Sequence, residues 1–393
     1  MDKDSKTIIA FAIAIVFLTV FILPKPIPQR NLSGVIEIGV ISPTDETYPK
    51  YMYLAELAEN ELNTLCNQSD LGISFRFNIS SGENSPARTL DLVSEQWRRG
   101  IDLFVAGGYH SQLTAMRSFV DDNHILVLSP SSTNIDMNRE DYIYRVSPND
   151  SVYAPSLAPL LMDYGIERVI IIGRESVVNR DGASFSNSYG ERGGEVIGIV
   201  TYPWEDEFNN SIKQVMTLLE SHDASDSSIG VLLLDYVQAD TIRKVSESYP
   251  LLSNVAWISM DAYRYPSLDI VSDASSVRLL SVSPILVPSD KTEMIGELFD
   301  RSFNEELDFI DGCVYDSFML LGLSIIELDS TNSSILREEL PSVASGYVGL
   351  TGAFGFEVNG DRDVFRMGLF EYNYEVSPEW ELVGYHDYPL PHQ

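Results

Sequence analysis

Basic residues are what this chain is shortest of. Lys and Arg number 26 against 58 Asp and Glu, a formal net charge of −32 over 393 residues. No cluster of Lys and Arg interrupts the excess, which excludes a nucleic-acid partner, because a phosphate-binding surface needs grouped cations. The acidic residues are scattered rather than blocked and read as a solvated surface suited to a salty exterior. Histidine is also scarce, at positions 110, 124, 222, 386 and 392, with no pair at metal-ligand spacing and no obvious Ser-His arrangement. G-x-S-x-G, a Walker loop and a G-x-G-x-x-G opening a helix after a strand are all missing. An enzyme reading therefore has little to stand on, and nothing calls for a cofactor. Cys66 and Cys313 are the two cysteines, each within a helical pattern. They imply no disulfide framework and read as small buried hydrophobes. The acidic stretch NGDRD at 359–363 lacks the twelve-residue loop and closing Glu of a calcium site.

What is present begins at the N-terminus. Residues 7–23, TIIAFAIAIVFLTVFIL, are uncharged, follow Lys3 and Lys6, and reach about the minimum length for a bilayer span, roughly 17 residues. A Pro-rich spacer, PKPIPQR, comes next. The segment reads as a transmembrane anchor, with a cleaved signal peptide as the rival. No small-x-small cleavage site follows it, nor a Cys for lipid attachment. Either way the chain from residue 31 onward lies outside the cytoplasm. N-x-S sequons at Asn31, Asn67, Asn78, Asn149, Asn209 and Asn332 agree with that placement.

From Val35 strand-like and helix-like segments alternate. VIEIGVI, ISFRFNI, LFVA at 103–106 and ILVL at 125–128 read as strands, with helices over 51–65, near 85–98 and near 111–121. After RVSPND the pattern repeats. Helices are expected over 152–164, near 183–192, 208–220 and 239–248, around the strands RVIII, EVIGIV, IGVLLL and VAWIS. Such alternation predicts parallel sheets covered on both faces, and two doubly wound α/β lobes are more economical than one sheet of ten or more strands. Two further helices, about 290–306 and 314–329, precede a β-rich end in which Asn359-Gly360 signals a hairpin turn. The expected division is an anchor or signal segment and spacer at 1–30, a first lobe from 31–149 plus 283–362, and a second from 150–282 plus 363–393. A hinge and central cleft would lie between the lobes, with the crossings near 150, 282 and 363.

Polar residues gather where the first lobe's strands end. GGYHSQLT follows LFVA and places Ser111 at a helix start; SPSST follows ILVL and places Ser131 and Thr133 at the next strand end; Asp150 closes RVSPND at the crossing. Ligands of open α/β sheets sit beyond the carboxyl ends of strands, where helix N-termini present free N–H groups. Hydroxyls and N–H groups suit a carboxylate, and an ionised Asp suits an ammonium, so the cradle matches an α-amino acid. Taken singly, each hydroxyl reads first as a helix cap, and it is the conjunction of the three sites that favours the cradle.

The stretches IEIGVISPTDETYPKYMYLAELAENELN and DLFVAGGYHSQLTAMRSFVDDNHILVLSPSSTNIDMNREDYIYRVSPND, followed by VYDSFMLLGLSIIE and GLTGAFGFEVNGDR, together resemble the branched-chain amino-acid binding protein family, the type I periplasmic solute-binding proteins of ABC transporters. The resemblance spans about Val35 to Tyr374. It implies a non-enzymatic solute-binding protein, extracytoplasmic and membrane-anchored, that hands a small-molecule ligand, an amino acid, to ABC transporter permease subunits. The alternative is a ligand-sensing receptor ectodomain of the same fold. It further implies that Ser111, Ser131 and Thr133 hold the ligand carboxylate, that Thr133 and Asp150 receive the ammonium, and that Tyr48 supplies an aromatic wall. Asp261 and Tyr236 would contribute from the second lobe. Two departures stand out: Tyr-Pro replaces the family's Tyr-Gly at residues 48–49, and GRESVVNRDGASF carries no aromatic near Val178. The head-group site is recognisable, whereas the side-chain pocket is this chain's own.

Overall fold

A computed structural model describes residues 31–134, 139–203, 208–222, 228–234, 239–260, 277–373 and 379–389. The apolar segment at 7–23, and with it the expected anchor, lies outside them. Among the described residues the strands form two large sheets, each covered by helices, and a two-stranded ribbon of β11 (Val348–Gly349) and β12 (Gly352–Ala353).

The first sheet has the order β13-β5-β4-β3-β1-β2, all parallel. Its strands are β1 (Gly34–Ser42), β2 (Ile73–Ser81), β3 (Leu103–Val105), β4 (Leu126–Ser129), β5 (Ile143–Pro148) and the short β13 (Asp361–Arg362). Helices α1 (Tyr48–Gln68), α2 (Pro86–Arg98) and α3 (His110–Asp122) connect the first four strands. Both faces of the central strands are covered, which is why LFV and LVLS carry no alternation: every residue in them is buried.

Helix Phe309–Leu328 is predominantly apolar and, by length and composition alone, long enough to cross a membrane. In the fold it is a core helix, with Cys313, Tyr315, Phe318, Leu320 and Leu321 all at 2% exposure or less and packed into the first lobe's core with Leu54, Ala58 and Leu62 of α1. The two helices meet closely at Gly322, where a Cβ would fall 2.4 Å from the Leu62 side chain. Both cysteines are buried and neither is in a disulfide, as expected. Burial pushes the Cys313 thiol well above its ordinary pKa.

The second sheet has the order β15-β14-β10-β9-β8-β6-β7. Strands β6 (Arg168–Arg174), β7 (Glu195–Tyr202), β8 (Ile229–Leu233), β9 (Ala256–Met260) and β10 (Arg278–Pro284) run parallel. The antiparallel pair β14 (Phe365–Asn373) and β15 (Glu379–Tyr388) extends it beyond β10. Helix α4 (Asp150–Asp163) and the helix over Ala183–Glu191 pack on one face through Leu157, Leu161, Phe185 and Tyr189. The helices Phe208–Ser221 and Ala239–Ser248 cover the other around Trp257, whose indole N–H donates to the Leu252 carbonyl at 3.1 Å.

The chain passes between the sheets three times: from β5 into α4, from β10 into the helix Asp290–Phe303, and from β13 into β14. The third passage corrects the expected hairpin. Asn359-Gly360 does make a tight turn, with Glu357 N–H donating to Asp361 O and an antiparallel bridge between Phe356 and Arg362. The run that leaves it, however, abandons its partner: Asp361 and Arg362 pair parallel with β5, and β14 joins the other sheet. Gly360 has φ +80°, and a Cβ there would sit 2.4 Å from the Ile143 carbonyl oxygen. Gly360→Ala is expected to destabilise the chain by roughly 2–4 kcal/mol in urea denaturation, combining a left-handed backbone penalty with a backbone clash.

The start of the core helix generates a second expectation. Asp308 and Asp311 form a reciprocal capping box there. Burial, reinforced by the Asp308 charge and opposed by Lys50, pushes the Asp311 carboxyl up to about 7. A folded-state pKa above the unfolded value of about 3.9 means a contribution fully present below pH 4 and lost as the pH rises through 7. Asp311→Asn, which cannot ionise, is expected to raise the melting temperature at pH 8, with the gap over the native chain closing by pH 4.

Candidate functional site

Each large sheet reverses its strand order once, and in open α/β sheets ligands bind beyond the strand ends at such a point. In the first sheet the reversal lies between β1 and β3. The loop leaving β1 is locked by Thr44 and Thr47, whose hydroxyls are 3.1 Å apart and each of which accepts the other's backbone N–H. That box starts α1 at Tyr48, which stands half-buried as its first residue. Gln112, at 1% exposure on α3, donates its amide to the Pro43 carbonyl at 2.8 Å and ties this loop to the neighbouring helix start.

The Gly107-Gly108 turn after β3 passes close to that loop. Gly107 has φ +74°, and a Cβ on Gly108 would lie 3.0 Å from the Pro43 ring and 3.2 Å from Ser131 Oγ. Ser129 donates to the Gly107 carbonyl at 2.8 Å and Ser131 to the Gly108 carbonyl at 2.7 Å. A buried strand thus ends in serines because their hydroxyls satisfy the carbonyls of the adjoining turn, which has left the ladder. Tyr109, the N-cap residue of α3, provides no side-chain acceptor for the first-turn amides, and Ser111 is exposed in that turn. Ser131 already spends its proton on Gly108, so the donors open to an anion here are the α3 amides and the Ser111 hydroxyl.

Thr133 and Asp150 meet directly. The Asp150 N–H donates to the Thr133 carbonyl at 2.7 Å, and the Thr133 hydroxyl is hydrogen-bonded to the Asp150 carboxylate. Burial holds the Asp150 carboxyl above the usual carboxylate range; the Thr133 bond and the Arg180 and Arg145 charges pull it partly back. The fold thus gathers Tyr48, Ser111 and Ser131 around one strand reversal and joins Thr133 to Asp150 at the first crossing. Tyr236 and Asp261 lie outside the described residues.

Asp150 is held by a buried network with no marker in the sequence. Asn149 caps α4 by accepting the Ser151 N–H at 2.8 Å, while its amide donates to Asp361 at 2.7 Å. The other Asp361 oxygen takes Arg145 Nε at 2.5 Å, and Arg145 also donates to the Asn134 carbonyl. Arg145 is 1% exposed and Asp361 2%. The Asn149 sequon is therefore closed in the folded chain. Arg180 and Asp181 were likewise not anticipated; they form a bidentate pair at 2.8 and 2.7 Å in the segment leaving β6.

A family model for the receptor family ligand binding region matches residues 54–375. The chain belongs to that family. Its fold is the two-lobed α/β architecture of type I periplasmic binding proteins, shared with branched-chain amino-acid substrate-binding proteins. An uncharacterized protein of Methanocaldococcus jannaschii is similar over 382 residues, 22% identical, covering 90% of each chain. Among solved structures, the chain is similar to an ABC transporter substrate-binding protein from Desulfitobacterium hafniense in complex with Leu, with TM-score 0.67 and 19% identity over 89% of this chain and 100% of that one. It is also similar to a branched-chain amino acid transporter substrate-binding protein from Streptococcus pneumoniae in complex with isoleucine, with TM-score 0.61 and 15% identity over 89% and 99% of the two chains. The family is one of binding proteins.

Removing Asp361 leaves Arg145 buried without its counter-charge. Asp361→Ala is expected to cost about 3–5 kcal/mol in chemical denaturation, far more than an exposed carboxylate on the same surface would.

Proposed function

We propose that this chain is an extracytoplasmic solute-binding protein that captures an α-amino acid in the cleft between its lobes and delivers it to the permease subunits of an ABC importer. The observation that carries the reading is the Thr133–Asp150 pair set beside the uncapped start of α3. One end of the cradle offers N–H and O–H donors to a carboxylate, and the other offers an ionised carboxylate to an ammonium. Ser111, Ser131, Thr133 and Asp150 line it from the first lobe and the crossing, with Tyr48 as a wall; Tyr236 and Asp261 are the further contacts that the family resemblance implies. Leu and isoleucine in the two similar structures support an amino acid as the ligand class. Lobes of 31–149 plus 283–362 and 150–282 plus 363–393 close about the three crossings, burying the ligand and presenting a joint surface to the transporter. The segment at 7–23 tethers the protein to the membrane.

The family's description as a receptor ligand-binding region favours one other reading, a sensing ectodomain without transport. Uptake of labelled amino acid by cells with and without the gene separates the two, since a sensor's loss leaves initial uptake rates unchanged.

Asp150→Ala is expected to weaken amino-acid binding by at least about 30-fold, roughly 2 kcal/mol, with an unchanged circular dichroism spectrum. Undiminished affinity would remove the ammonium pairing. The pH dependence follows from the raised carboxyl: binding needs the ionised form, so affinity is full above the Asp150 pKa and falls as the pH drops through it. Calorimetric titration between pH 4 and 8 checks the sign, and the Asp150→Asn variant is expected to lose that slope.

A further inference from the structure

The second sheet has its own strand reversal, between β6 and β8, and what stands there is charged. The order β10-β9-β8-β6-β7 turns back at β6, so the crevice beyond that strand is the second lobe's counterpart of the cradle. Gly173 near the end of β6 is pressed against β8's exit, a Cβ there falling 3.0 Å from the Leu234 carbonyl and 3.1 Å from Val178. The chain then makes a short helix, Glu175–Val177, and a single π turn, Val178–Gly182, before the helix Ala183–Glu191. Val178 is buried in the same core cluster as Tyr153 and Leu157 of α4, which fixes the π turn against the helix that begins with Asp150. Single π turns occur often at functional sites.

Arg180 and Asp181 occupy this turn as a bidentate pair, Nε to Oδ1 at 2.8 Å and Nη2 to Oδ2 at 2.7 Å. Asp181 is 4% exposed, while the Arg180 side chain keeps 38%. The pair lies near enough to Asp150 for both charges to bear on its carboxyl, Arg180 favouring the ionised form and Asp181 opposing it.

We propose that Arg180 and Asp181 form the side-chain subsite of the amino-acid cleft and select a polar, uncharged side chain, the carboxamides of asparagine and glutamine above all. This rests on the amino-acid reading given above. Closure over an aliphatic side chain would strip water from the part-exposed Arg180 guanidinium while offering no hydrogen bond in return. A carboxamide offers both halves of the exchange: its C=O accepts from Arg180 and its NH2 donates to Asp181.

The test is calorimetric titration of the full-length chain with L-glutamine, L-asparagine, L-leucine, L-isoleucine and L-glutamate. Glutamine or asparagine is expected to bind at least tenfold more tightly than leucine. The double substitution Arg180→Leu/Asp181→Leu removes both charges together and so avoids a lone buried carboxylate. It is expected to bring glutamine and leucine within about threefold of one another or to reverse their order. Arg180→Lys keeps the charge but loses the planar fork, and serves should the double variant misfold; it is expected to weaken glutamine about tenfold and leave leucine unaffected. Tightest binding of leucine or isoleucine by the native chain overturns the subsite and leaves the amino-acid reading intact, as does an unaltered preference in the folded variants. Binding of none of the five, with Asp150→Ala indistinguishable from the native chain, removes the amino-acid reading and the subsite with it.

Discussion

The ion pair between Arg145 and Asp361 is the constraint on which the arrangement of the two lobes turns. It joins residues 216 positions apart in sequence, both almost wholly buried, and sits where the chain leaves the first sheet for the first and third times. Through Asn149 the same carboxylate fixes the cap of α4, and hence Asp150. Next along β13, Arg362 is equally buried. It donates to the carbonyls of Val364, Val146, Thr351 and Ala353 and to the Thr351 hydroxyl, and lies 3.7 Å from the Phe354 ring centre. Asp316 completes the cluster from the core helix, accepting from the Leu350 and Thr351 amides and from the Thr351 and Tyr347 hydroxyls. Burying four charges is unfavourable in itself, and they are tolerated because Arg145 and Asp361 answer each other while Arg362 and Asp316 are met by several hydrogen bonds each. What such a cluster contributes is definition: the cap of α4, and with it Asp150, is tied to β5 and β13.

The same economy governs the first-lobe cradle. Strand ends expose carbonyls and amides that no ladder satisfies, and the chain meets them with short hydroxyl side chains and two close glycines. Ser129, Ser131 and Gln112 all bond to backbone carbonyls of neighbouring loops. These bonds hold the loops of β1, β3 and β4 in one register, and among the described residues Tyr109 leaves the start of α3 without a side-chain cap. A binding site in this fold is therefore what is left over after neighbouring strand ends have satisfied one another.

Much of this was legible along the chain. The βα alternation is read from apolar runs and their spacing, and the expected strands and helices from Val35 to Ser259 recur in the fold within a few residues. The positions of Ser111, Thr133 and Asp150 followed from where strands stop. Three kinds of feature were not legible. Arg145, Asp361 and Arg362 carry charge in polar surroundings and read as solvent-facing, because nothing local reveals that residues 145 and 361 will meet. Asn359-Gly360 reads as a hairpin because turn chemistry is local, whereas the partner of the strand that follows is chosen by a distant sheet edge. The helix Phe309–Leu328 passes the test for a membrane span, since complete burial in protein and in lipid demand the same composition.

The sequence by itself determined the two-lobed α/β class, the polar strand ends and the excess of acid, because periodicity, turn residues and net charge are properties of neighbours along the chain. Only the tertiary structure decided which carboxylates are paired, which serines are donors to the backbone, and that the Arg180–Asp181 pair sits in the turn leaving β6. Those relations depend on strand order and on contacts between residues far apart in sequence, and a charge acquires its meaning from the partner that folding brings to it.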